Sequence, residues 1–179
     1  MIKIILSFFT LVIVILYFPN KVLGTNNTSE FSGLLKENLS ISKEDSRITI
    51  LKKFLEKHNS PLSIHAKFIV DVSDAYRIPW YFVPAISGVE STFCKNIPYN
   101  SFNCWGWNNG KTYFKDFEDA IYNVTKGLKY GYFDKDMIDA YTIGPVYAPP
   151  SKTWANKVMN FCDQIQSFKI SSSNPDFSL

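Results

Sequence analysis

The sequence predicts a mainly α-helical domain with a small loop or hairpin lobe. Three observations carry this expectation. Apolar residues recur at three- and four-residue steps in several separate stretches. Runs of strictly alternating apolar and polar residues, which mark half-buried strands, are nearly absent. One stretch, from Cys94 to Phe114, breaks the helical pattern with Pro98, Gly106, Gly110 and repeated asparagines. It reads as a long loop or a short hairpin turning on Asn108-Asn109-Gly110.

The elements follow in order. Ile48, Leu51, Phe54 and Leu55 mark a first helix, stopped by Asn59-Ser60-Pro61. A second helix runs to about Tyr76, with Ala66, Ile69, Val70 and Val72 inward, and ends at Arg77-Ile78-Pro79. A third starts near Trp80, with Pro84 in its first turn, where a missing N–H does little harm. Val83, Ile86 and Glu90 stand at i, i+3 and i+7 and so share one face of that helix, expected to be its apolar side. Asp116 reads as an N-cap with Asp119 three residues on, opening a helix striped by Phe117, Ile121, Val124 and Leu128. A short helix is expected near Lys135–Tyr141. Gly144–Ser151, with Pro145, Pro149 and Pro150, is expected to be a rigid loop. Trp154, Val158, Phe161, Ile165 and Phe168 mark the last helix. Of the loop aromatics, Phe102 and Tyr113 are expected in the core.

The 179 residues divide into four parts. Residues 1–24 read as a signal peptide or N-terminal membrane anchor. Lys3 precedes an uncharged apolar run from Ile4 to Phe18, closed by Pro19-Asn20-Lys21. The run suits a signal core and is short of the ~20 residues of a spanning helix. Cleavage is expected after Gly24; uncleaved, the segment would contact a membrane. Residues 25–43 read as a flexible polar linker, 44–168 as the folded domain and 169–179 as a polar tail. The chain is thus expected to be secreted or membrane-anchored, outside the cytoplasm. In that setting Cys94 and Cys104 can bridge a short loop, with a reduced pair as the alternative, and Cys162 is left as a small buried apolar residue.

The charge is a mild +3, from 19 basic and 16 acidic residues, with no Lys/Arg run of the kind that binds nucleic acid. The cysteines, His58 and His65 lack zinc-ligand spacing, so no metal and no cofactor is expected. A monomer is expected.

Glu90 is the residue with the sharpest chemical reading. A carboxyl on an apolar helix face loses hydration, which disfavours its charged form, and a helix C-terminus adds partial negative charge of the same sign. A carboxyl kept protonated near neutral pH can serve as general acid at a glycosidic oxygen. The alternative is an ordinary solvated glutamate at a helix end. The neighbouring loop weighs on this choice. Tyr99, Phe102, Trp105, Trp107 and Tyr113 alternate with Asn100, Ser101, Asn103, Asn108 and Asn109. Rings can cover apolar sugar faces while amides bond hydroxyl and N-acetyl groups. Trp105 and Trp107 are therefore candidate substrate-binding residues, with core packing as the competing role.

The run Ala85-Ile86-Ser87-Gly88-Val89-Glu90-Ser91-Thr92-Phe93, followed by Asn100-Ser101-Phe102-Asn103-Cys104-Trp105-Gly106-Trp107, resembles the lysozyme-like superfamily. Its bacterial wall-lytic members carry a helix ending in Glu-Ser and then a loop with Asn and Gly. Tyr147-Ala148-Pro149-Pro150 through Trp154 to Val158 resembles the Tyr-Ala motif and final helix of the endo-β-N-acetylglucosaminidase branch. Ala140-Tyr141-Thr142-Ile143-Gly144-Pro145 resembles, more loosely, a Tyr-containing motif of the lytic transglycosylases. The resemblance spans about Leu62 to Ile165. It implies a lysozyme-like helical domain that cuts peptidoglycan or a related N-acetylated glycan, with Glu90 as acid and Tyr147 near the reacting sugar. It also implies that Ser91 and Asn103 support the site and that Tyr141 binds substrate. The transglycosylase Gly-Leu-Met-Gln type loop is absent, and Cys94 and Cys104 are unusual in either branch.

No second carboxylate stands out, since Asp116, Glu118 and Asp119 read as cap and solvated face, and Asp134, Asp136 and Asp139 as surface. Most glycosidases use two. A single acid can still work if water, the substrate's N-acetyl oxygen or its 6-hydroxyl captures the cationic centre. The resemblance of the Tyr147 segment favours a glucosaminidase-like enzyme over a transglycosylase. A catalytically inactive wall-binding module and an envelope scaffold remain as readings of another class.

Overall fold

The computed structural model describes residues 45–170. The expected export segment, the linker and residues 171–179 lie outside the described residues. Among those described, the protein is helical without strands, as the apolar spacing predicts.

Helix α1 spans Ser46–Lys57 and buries Leu51, Phe54 and Leu55; Asp45 caps it by accepting from Arg47 N at 3.0 Å. After Asn59, which takes a left-handed φ of 53°, a 3-10 turn covers Pro61–His65. Helix α2, Ala66–Tyr76, buries Ala66, Ile69, Val70 and Val72 and ends on left-handed Arg77. The Arg47 guanidinium grips both oxygens of Asp74, at 2.8 and 2.6 Å, tying the start of α1 to the end of α2.

Helix α3, Phe82–Ser91, is the centre of the domain. Every residue from Phe82 to Gly88 is buried. Val83, Ile86 and Glu90 therefore do not define one apolar side of an amphipathic helix. The helix is apolar all round because protein covers it all round. It leaves the core only at Val89 and Glu90. Gly88 is required there: a Cβ would stand 2.7 Å from the Phe93 ring and 3.0 Å from Phe161.

Helix α4, Phe117–Gly131, opens on the expected cap, with Asp116 Oδ1 accepting from Asp119 N at 2.8 Å. The next stretch departs from expectation. Phe133–Lys135 is a single 3-10 turn, and α5 runs from Ala140 to Tyr147, through Gly144 and Pro145. The expected helix at Lys135–Tyr141 and the expected loop from Gly144 are both displaced. Asp139 caps α5, accepting from Thr142 N at 2.8 Å while Thr142 Oγ1 returns to the cap. Pro145 withholds one helix bond, and it does so on an exposed turn. Helix α6, Trp154–Gln166, buries Trp154, Val158, Cys162 and Ile165 and packs on α3 and α5.

Residues between α3 and α4 form a loop, not a hairpin. Gly110 N donates to Gly106 O at 3.1 Å and Lys111 N to Asn108 O at 3.1 Å, with Asn108 and Asn109 both left-handed. Phe102 is half-buried, edge-on to Phe117 at 5.0 Å. Tyr113 is 63% exposed, against the core placement expected of it. Its neighbours Thr112 and Phe114 are held inward by bonds to Asn103 and Ser101, and alternation along an extended segment turns Tyr113 outward.

Candidate active site

Glu90 is the next-to-last residue of α3, at the point where the helix leaves the core. The chain then turns through three successive left-handed residues, Thr92, Phe93 and Cys94, with φ of 54°, 56° and 66°. Such a run is strained for side chains of this bulk and persists only where the surroundings dictate it. Four contacts do so. Phe93 N donates to Ser87 O at 3.0 Å, and Ser60 Oγ donates to Phe93 O at 2.9 Å. Cys94 N donates to Ser91 Oγ at 3.0 Å. A disulfide joins Cys94 to Cys104, with Cα atoms 4.7 Å apart. Cys162 is a free, buried thiol, its pKa pushed up to about 12 by burial.

The loop that meets this turn is held from beneath. Ser91 is buried, and its hydroxyl donates to Cys104 O at 2.7 Å. Asn103 is buried and spends its amide within the loop. Its Nδ2 donates to Trp107 O at 2.9 Å and Thr112 O at 3.0 Å, and its Oδ1 accepts from Trp107 N at 2.9 Å. Trp105 is fully buried, with its indole N–H donating to Val83 O at 2.9 Å. Ser91, Asn103 and Trp105 therefore have no free face for a ligand. Ser91 and Asn103 fix the loop against α3 and within itself, and Trp105 takes the core-packing role that competes with substrate binding in the sequence.

Glu90, Trp107 and Tyr147 do come together. A groove of about 400 Å³ is lined by Glu90, Gly106, Asn109, Tyr147, Pro149 and Pro150. A second hollow, about 200 Å³, shares Gly106, Asn109 and Tyr147 and adds Trp107, Asn108 and Tyr132. Gly106 makes Glu90 accessible. It is left-handed, φ 63°, and a Cβ there would stand 2.9 Å from Glu90 Oε2. Bare backbone at this point leaves one face of the carboxyl open to the groove.

The other carboxyl oxygen has a fixed partner. The Trp154 indole N–H donates to Glu90 Oε1 at 2.6 Å. Trp154 is buried, and Tyr147 stacks on it, with centroids 5.0 Å apart and planes at 26°. Burial of the carboxyl raises the Glu90 pKa, and the Trp154 hydrogen bond, which favours the anion, opposes the rise. Glu90 keeps an exposed edge, so its setting is less dry than an apolar helix face would make it. The pKa is raised all the same, and a carboxyl of this kind can hold a proton and hand it to a group in the groove.

Tyr147 is constrained differently. Its hydroxyl donates to Trp105 O at 2.5 Å, and burial together with the nearby Glu90 charge holds its pKa well above the ordinary phenol value. The hydroxyl is neutral and committed to a backbone carbonyl. The ring forms the groove wall, edge-on to Trp107 at 6.1 Å. Tyr141 is not part of this groove. Six residues before Tyr147 on α5, it points about 120° away around the helix, and it is 56% exposed.

Among the residues lining the two hollows, Glu90 is the only acid. Asp116 and Asp139 are occupied as helix caps, and Asp134 pairs with Lys129. Among the described residues no group of three His, Cys, Asp or Glu side chains converges to hold a metal ion. No helix among them is long and apolar enough to cross a membrane.

Sequence reasoning missed Trp154 as the partner of Glu90 and Gly106 as the opening beside it. Trp154 reads as the first apolar residue of a core stripe. One signal was available: a buried indole N–H needs an acceptor. No family model matches this chain, and no curated protein matches it.

Proposed function

We propose that this protein cleaves the sugar backbone of a cell-wall glycan, peptidoglycan or a related N-acetylated polymer, with Glu90 as general acid. The observation that carries the reading is the two-sided setting of the Glu90 carboxyl. Oε1 is anchored by the Trp154 N–H at 2.6 Å, and Oε2 lies beside the bare backbone of Gly106, with which Glu90 lines the groove. An anchored carboxyl of raised pKa is suited to protonating a leaving-group oxygen. The groove wall of Tyr147 and Trp107 offers rings for sugar faces, and Asn108 and Asn109 offer amides for hydroxyl and acetamido groups.

A second carboxylate at the spacing that inverting or retaining enzymes use is missing from the groove lining. The nucleophile is then the substrate's own N-acetyl oxygen, a water it helps to place, or the sugar's 6-hydroxyl. Tyr147 acts through its ring, since its hydroxyl is spent on Trp105 O. The resemblance of the Tyr147–Val158 segment to the glucosaminidase branch favours hydrolysis, and the apolar run Ile4–Phe18 supports an activity exported from the cytoplasm.

The test is to incubate the protein with purified peptidoglycan and weigh the soluble fragments. New reducing N-acetylglucosamine ends support the reading as stated. Anhydro-muramic ends keep Glu90 as acid and reassign the enzyme to transglycosylation. Glycan binding without any fragments, in wild type and Glu90→Gln alike, would replace the enzyme with a binding module.

A further inference from the structure

Two tyrosines, Tyr132 and Tyr147, line the hollow of about 200 Å³ beside the Glu90 groove. Their hydroxyls differ. That of Tyr147 is spent on Trp105 O. That of Tyr132 has no hydrogen-bond partner among the described residues, and burial is what raises its pKa. The Tyr132 phenol is therefore neutral near pH 7, with one proton to donate and lone pairs to accept.

Tyr132 stands where α4 ends, and its backbone is held on both sides. Its N donates to Leu128 O at 3.0 Å, and its O accepts from Lys135 N at 2.8 Å and Met137 N at 3.2 Å. The Lys129–Asp134 ion pair, at 2.6 Å, bridges the same turn. The next residue, Phe133, packs edge-on against Phe82 of α3 at 5.6 Å. The other aromatic of the hollow, Trp107, is laid on α4 at Gly127, where a Cβ would stand 2.6 Å from the indole. The rings are thus in place before a ligand arrives, which lowers the cost of ordering them. Packing does not account for the Tyr132 hydroxyl. A phenylalanine would fill the same space beside Tyr147, whose ring centroid is 6.1 Å away, and a half-buried phenol without a partner forgoes part of its hydration. Tyr147, Gly106 and Asn109 line both this hollow and the Glu90 groove, so a sugar chain lying along them meets Glu90 on one side and Tyr132 on the other.

We propose that Tyr132 is a specificity-determining residue of this site, its hydroxyl donating to the acetamido carbonyl of the sugar seated in the hollow. The inference rests on the glycan-cleaving reading and deepens it. It also divides the work of the two tyrosines. Tyr147, the residue that the Tyr-Ala resemblance singles out, contributes its ring, and the polar contact comes from Tyr132, which no motif marks.

The experiment measures affinity by calorimetry on the full chain carrying Glu90→Gln, so that nothing is turned over. Chitotetraose is compared with cellotetraose, which offers the same ring faces with a short hydroxyl in place of each acetamido group. Chitotetraose should bind more tightly. Tyr132→Phe removes one oxygen and keeps the ring. It should weaken chitotetraose about three- to tenfold, the range of one neutral hydrogen bond, and leave cellotetraose affinity unchanged. Tyr147→Phe frees the Trp105 carbonyl and loosens the shared wall, so it should weaken both probes alike and keep their ratio. A merely structural Tyr132 predicts equal losses for the two probes. Equal losses, no loss, or a ratio that falls with Tyr147→Phe and not with Tyr132→Phe overturns this proposal and leaves the glycan-cleaving reading intact. If chitotetraose does not bind, the proposal falls. If peptidoglycan also yields no fragments with Glu90 in place, the enzymatic reading beneath it falls as well.

Discussion

Two glycines in the same loop differ in one respect that isolates the role of Glu90. Gly106 and Gly110 both adopt left-handed backbone, φ 63° and 76°. Alanine at either position costs about 1 kcal/mol for the conformation alone. For a domain of this length that lowers Tm by about 3–5 °C. At Gly110 the new methyl meets nothing within 4 Å. At Gly106 it meets Glu90 Oε2 at 2.9 Å, so the carboxyl must retreat by about 0.5 Å or more to reach ordinary contact. The obstacle is the mobile end of a side chain, so stability suffers little beyond the shared backbone term. The retreat pulls against the 2.6 Å bond from Trp154 and displaces the carboxyl from the position its proposed role as acid requires. Displacements of this order cost ~10- to 100-fold in turnover. Thermal melts and fragment release from wall glycan, run on Gly106→Ala and Gly110→Ala together, should give similar melting losses, with activity lost only in Gly106→Ala. Activities of the two variants within about threefold of each other would refute the reasoning.

Three further outcomes follow from the same geometry. Trp154→Phe removes the donor that favours the Glu90 anion, so the carboxyl pKa should rise above its wild-type value, read by carbon NMR of the labelled side chain; a fall would contradict the assignment. Glu90→Gln should make the protein more stable near neutral pH. The folded-state pKa of Glu90 lies above the unfolded value, so the folded protein binds the extra proton in that window and wild type loses stability as pH rises through it. The gain should vanish below the unfolded carboxyl pKa, and a Gln variant less stable at pH 7 would contradict it. Replacing Cys94 and Cys104 together by serine releases a bridge of sequence separation 10 and should cost about 3 kcal/mol in urea unfolding; a cost under about 1 kcal/mol would show that packing alone holds the turn after Glu90.

The sequence made the helices legible where apolar spacing and capping chemistry agree, as in α1, α2, α4 and α6. It misplaced α5 because Pro145 reads as a breaker, while the Asp139/Thr142 cap that starts the helix is a weaker local signal. Of the residues the sequence singles out, Glu90 and Tyr147 line one groove. The loop was legible only as a class. Trp105 and Trp107 are two residues apart in irregular backbone, where no period says which ring turns inward. Tertiary bonds decide: Trp105 reaches Val83 O, and Trp107 is laid on Gly127. The same holds for Ser91 and Asn103, whose polar groups look available in sequence and are spent on backbone partners in the fold.

The proposed chemistry stands or falls on a carboxyl proton at residue 90. Fragment release from intact wall glycan by the full chain, wild type beside Glu90→Gln, addresses it most directly, with glycan affinity measured in parallel. The expected result is a rate lowered ~10²- to 10⁴-fold in the glutamine variant, with affinity within a few-fold of wild type. A glutamine variant that cuts within tenfold of wild type would contradict the account.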